Sequence, residues 1–153
     1  MPCPALALIA RCCFATFVTS TALSCGGHSS ATVAVGPTYL TDVQALTDQF
    51  TKSYERLVAL LRQPDFTAPW RSSVADEVLR QRDLSDQWRQ LRPSPQSEVA
   101  HRKSLEALDA FDESGRLVLE AANERDFDKL GQAGRLSAQG GRLLEEARLL
   151  LPK

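Results

Sequence analysis

The chain has 153 residues, enough for one domain. Its charge is divided unevenly: residues 1–41 carry Arg11 alone, and from Asp42 onward 17 basic side chains face 19 acidic ones, a net charge of −2. That mixed, slightly acidic body gives no reason to expect nucleic acid or a membrane recognised through anionic headgroups as a partner, because both demand a basic excess.

The leader comes first. Arg11 closes a short N-terminal region, and an apolar run follows from Cys12 to Ser24, with Phe14, Phe17 and Val18 as its bulk. Its length suits the core of an export signal and falls short of the roughly 20 residues that a membrane-spanning helix needs. We therefore read residues 1–24 as a signal peptide. Cys3, Cys12, Cys13 and Cys25 account for all the cysteine. The body after them has no disulfide framework, thiolate metal site or cysteine nucleophile.

The leader ends in Thr21-Ala22-Leu23-Ser24-Cys25-Gly26-Gly27, which resembles the lipobox of bacterial lipoproteins. The resemblance implies cleavage before Cys25 and a diacylglyceryl group on its sulfur, anchoring the protein at the periplasmic or outer cell surface. The preferred leucine three places before the cysteine is here Ala22, with Leu23 one place late. Two other routes stay open: cleavage after Ala34, which releases a soluble secreted protein, and retention of the leader as an anchor. Residues 25–37 contain small and weakly polar side chains and read as a flexible tether.

From Thr38 the periodicity turns helical, and residues 38–153 are expected to form an all-α, antiparallel up-down-up-down four-helix bundle. The first helix, about 39–62, carries Leu40, Val43, Leu46, Phe50, Tyr54, Leu57 and Leu61 at three- and four-residue steps. Thr41 and Gln44 have the spacing of a capping box, and Pro64 stops the helix. The second, about 68–92, has Trp70, Val74, Val78, Gln81, Leu84, Trp88 and Leu91. The third, about 95–123, is expected to start at Ser94-Pro95, as N-cap and first helical residue. Its seam is His101, Leu105, Leu108, Asp112, Gly115, Leu119 and Ala122, widened by Phe111 and Val118. Asp126 is suited to cap the fourth helix, about 127–150, in which Leu130, Ala133, Ser137, Gly140, Leu144, Ala147 and Leu151 form a heptad seam.

The middle of that last helix is unusually small: Gly131, Ala133, Gly134, Ser137, Ala138, Gly140 and Gly141. Each glycine costs about 1 kcal/mol of helix propensity against alanine. Close approach of a neighbour such as Trp88, Phe50 or Phe111 offsets this, and so does a groove for a ligand or partner helix. Gly134, Ser137, Gly140 and Gly141, with Trp88 and His101, are thus the candidate ligand or partner face.

Candidate chemistry is sparse. Glu98-Val99-Ala100-His101 has the Glu-x-x-His spacing of a bundle di-iron site, but the body holds only one histidine, so the second motif cannot be built. Haem ligation through methionine is excluded, since Met1 is the only methionine. No glycine-serine elbow or phosphate loop is present. Asp112, the one acid on the third seam, is expected to pair with Arg116 one turn later. No cofactor or metal is expected.

Leu91-Arg92-Pro93, Pro95, His101 and the small-residue last helix resemble the small helical-bundle lipoproteins of bacteria over about 60 residues. That likeness implies location and fold and no functional residue. The leading expectation is a non-enzymatic cell-envelope module that meets an envelope protein or small ligand. The alternatives are a sensory bundle with a cavity at the small face, and a metal protein or enzyme using His101.

Overall fold

The computed structural model describes residues 38–151. The signal peptide, Cys25, the alternative cleavage site after Ala34 and the tether lie outside the described residues. Four helices follow in order: α1 Thr38–Leu61, α2 Ala68–Arg89, α3 Glu98–Glu124 and α4 Phe127–Leu149. There is no strand among the described residues. The all-α four-helix bundle expected from periodicity is what forms.

Cross-helix pairs fix the alternation. Arg56 of α1 donates to Glu77 of α2 at 2.7 Å. Arg89, at the end of α2, reaches Asp109 and Asp112 near the middle of α3. Lys103 near the start of α3 meets Glu146 near the end of α4, and Lys129 near the start of α4 meets Glu120 and Glu124 near the end of α3. Neighbours in sequence therefore run antiparallel. The starts of α1 and α3 share one end, where the Tyr39 hydroxyl lies 3.2 Å from His101 Nδ1.

The helix ends follow local chemistry, with three departures from expectation. α1 begins at Thr38, upstream of the supposed capping box, because Tyr39 gains burial against His101. Thr41 is then inside the helix, and Gln44 Nε2 donates to Asp48 instead, at 2.9 Å. α2 is capped by Thr67, whose Oγ1 accepts from Trp70 N, and Asp65 accepts in turn from Thr67 N and Oγ1. It ends three residues early, at Arg89: the amides of Gln90 and Leu91 donate to carbonyls three residues back, tightening the last turn.

The third departure is at α3. Ser94-Pro95 does not open the helix. Pro95 occupies the second position of a turn closed by Ser97 N donating to Ser94 O at 2.9 Å, and Ser94 Oγ donates to Ser97 Oγ at 3.0 Å. Proline's fixed φ suits that turn as well as a first helical turn, and the helix starts at Glu98 behind Ser97. Asp126 caps α4 as expected, its Oδ1 accepting from Asp128 N at 2.9 Å and Lys129 N at 3.0 Å.

Two apolar clusters fill the interior. One, around Leu57, Phe66, Trp70, Val74, Leu117 and Ala133, lies at the end holding the α1–α2 and α3–α4 connections. The other, around Leu46, Phe50, Leu84, Trp88, Leu108 and Phe111, lies toward the end where α1 begins. α3 runs through both and is buried on two faces. Besides the expected seam with Phe111 and Val118, it buries Ala100, Ser104, Ala107, Ser114 and Ala121, which complete a second heptad series made mostly of small residues. α3 and α4 accordingly share the most extensive backbone contact of any helix pair among the described residues.

Candidate functional site

The candidate face is built where small residues of α3 and α4 meet. A Cβ placed on Gly140 would lie 2.8 Å from Phe111 Cε2 and 3.1 Å from the Ala107 carbonyl oxygen. Phe111 thus fills the space that the missing side chain leaves, edge-on to Phe50 and Tyr54 of α1. One turn away, Ser114 Oγ lies 2.9 Å from the Ala133 carbonyl and 2.8 Å from Ser137 Oγ. Trp88 is buried in the same cluster as Phe111, with 2 % of its surface exposed.

The other candidates stand apart. Gly134 has no atom within 4 Å of a built Cβ, so it opens outward. Gly141 is half-buried. His101 precedes Phe111 by ten residues on α3, about 15 Å along the axis. Structure therefore gathers Gly140, Ser137 and Trp88 around Phe111 and Ser114 and leaves His101 and Gly134 elsewhere. Outside the tight seam, α3 and α4 enclose a shallow depression of about 620 Å³ whose rim includes Arg116, Arg135 and Arg142.

His101 is enclosed at the end of the bundle. Tyr39 meets it edge-on, with ring centroids 5.8 Å apart. Burial holds the imidazole pKa below its ordinary value and pushes the Tyr39 phenol up to about 12, since each loses water around its charged form. The apolar stripe of α1 points to Leu40 as its first buried residue, but Leu40 is 46 % exposed and Tyr39 is buried in its place. Helical phase alone cannot say which of two adjacent apolar residues turns inward at a terminus.

The expected Asp112–Arg116 pair does not form. Arg89 of α2 holds Asp112 at 2.7 Å and also reaches Asp86 and Asp109. Arg116 turns outward to Glu113 at 2.5 Å and to Glu120. A cation on a neighbouring helix faces the half-buried Asp112 more directly than one a turn ahead on its own helix. A second polar clasp joins α1 to α2: Glu77 accepts from Arg56 at 2.7 Å and from the fully buried Ser53 Oγ at 2.8 Å. These donors hold the Glu77 carboxyl below the usual carboxylate range, the bond from Arg56 contributing most.

The face of α2 at Gln81, Ser85 and Trp88 carries three buried donors, Gln81 Nε2, Ser85 Oγ and Trp88 Nε1, without a partner among the described residues. Among the described residues no group of three His, Cys, Asp or Glu side chains is placed to hold a metal ion. No helix among them is long and apolar enough to cross a membrane.

Neither a family model, a curated protein nor a solved structure matches this chain.

Proposed function

We propose that the protein is a cell-envelope lipoprotein whose bundle is a non-enzymatic interaction module, carried on a tether from an acylated Cys25. The observation that carries this reading is the position of the thiols: all four precede residue 26, the last within the lipobox-like Ala22-Leu23-Ser24-Cys25, and a charged helical body starts at Thr38. The body's own chemistry supports the non-enzymatic part. His101 is engaged by Tyr39, Asp112 by Arg89, and Ser114 by Ser137 and the Ala133 carbonyl. Groups that a reaction would draw upon are committed to holding helices together.

Expression in a bacterial host supplied with radioactive fatty acid tests the anchor. The wild-type chain is expected to take up label and Cys25→Ala to take up none. Equal labelling of both, or a mature N-terminus at Val35, would overturn it.

A further inference from the structure

Among the described residues, six large apolar side chains are exposed: Leu40, Leu79, Val99, Phe127, Leu149 and Leu150. Single exposed leucines are ordinary on a protein surface. Their distribution here is not even. Leu40 lies in the first turn of α1, Val99 in the first turn of α3, and Leu149 and Leu150 at the close of α4. The alternating topology brings these termini to one end of the bundle, the end from which the chain runs back to Cys25.

We propose that this end rests on a lipid bilayer, with Leu40, Val99, Leu149 and Leu150 at the boundary between headgroups and acyl chains. The inference rests on Cys25 being the anchor. Twelve residues separate Cys25 from Thr38, a reach of at most about 45 Å when fully drawn out. The 24 residues of α1 span about 36 Å. Presenting the opposite end to the bilayer would therefore need the connecting segment stretched to nearly its full length along the bundle. The end carrying the four apolar side chains is the one held at the surface.

Depth is limited by the backbone. Helix termini carry amide and carbonyl groups without intrahelical partners, which hydrocarbon cannot satisfy. Contact thus stops at the interface, where apolar side chains dip and polar groups stay hydrated. Exposed Arg92 and Arg102 share this end with exposed Asp42 and Glu98. With both signs present, adhesion comes from apolar burial and is insensitive to salt.

The test uses the acylated protein purified from bacterial membranes and placed in phosphatidylcholine vesicles. In the mature chain Cys25 is the only thiol, and acylation blocks it. Gln96→Cys, in the turn before α3, and Gln63→Cys, at the opposite end, each then supply one site for an environment-sensitive fluorophore. Brominated lipid is expected to quench the label at position 96 several-fold more than the label at 63, at low and high salt alike. Adding Leu149→Ser and Leu150→Ser should reduce that quenching several-fold while the helical circular dichroism is kept. Equal quenching at both sites, or quenching indifferent to the two serines, overturns the contact and leaves the anchor standing. Shielding at position 96 that grows with protein density on the vesicle assigns the face to a second copy and also overturns it. A mass showing no lipid on Cys25 removes contact and anchor together.

Discussion

Burial of His101 and Tyr39 gives this protein a pH dependence outside the acid range in which its paired carboxylates act. His101 is 8 % exposed and its pKa lies below the ordinary 6.5, because burial disfavours the imidazolium. As pH falls below 6.5 the unfolded chain takes up a proton that the folded chain resists. Stability present at neutral pH is therefore lost progressively until the folded-state value is passed. Protonation also makes Nδ1 a donor only, so that the Tyr39 oxygen must then accept. Tyr39 works in the opposite sense: its contribution is present below 10.0 and is lost as pH rises toward about 12. In urea titrations at about pH 7.5 and 5, the wild type is expected to lose more of its midpoint than His101→Asn. Equal losses would show that the ring is not shielded in the folded state.

At the scale of the helix, two glycines of α4 separate packing from propensity. Gly134 faces open space, so Gly134→Ala should gain about 1 kcal/mol from helix propensity alone. Gly140 is closed by Phe111 and the Ala107 carbonyl, where an added methyl costs about 1–3 kcal/mol of overpacking and more than cancels the same gain. Thermal melts of the two variants should move in opposite directions. If Gly140→Ala melts higher, Phe111 is free to give way and the seam is looser than it looks.

The join between α2 and α3 has its own signature. Arg89 and Asp112 are about a third exposed, so their coupling should be modest, about 0.5–1 kcal/mol. A double-mutant cycle on Arg89→Gln and Asp112→Asn should find it. A cycle pairing Asp112→Asn with Arg116→Gln should give a value near zero, and substantial coupling there would restore the pairing expected from spacing.

Over the whole bundle, the interior is two apolar clusters joined lengthwise by α1, α2 and α3. Trp70 reports on one and Trp88 on the other. Because these three helices pass through both clusters, neither end can melt without unpacking the same rods. In Trp70→Phe and in Trp88→Phe the remaining tryptophan's fluorescence should lose its native value at the same denaturant concentration as the helical signal. Separate midpoints within one variant would mean two folding units. Anchoring belongs to this scale too, since fatty-acid labelling at Cys25 concerns where the bundle is held and not how it is built.

The sequence determined the number, order and approximate bounds of the helices, because apolar side chains recurring at three and four residues leave no other way to escape water. Pro64 and the Asp126 cap were equally legible, as both act on the nearest few residues. The small stripe on α4 was visible, and so was the choice between a neighbour such as Trp88, Phe50 or Phe111 and a groove for a ligand or partner helix along it. What filled that space was decided only by tertiary structure. The matching stripe of Ala100, Ser104, Ala107, Ser114 and Ala121 on α3 was hidden, since alanine and serine mark an inner face weakly until a second small face is seen against them. Partner choice for Asp112, and the burial of Tyr39 in place of Leu40, were settled in the same way. Periodicity records which way a side chain points along its own helix; what it meets there depends on residues far away in the chain.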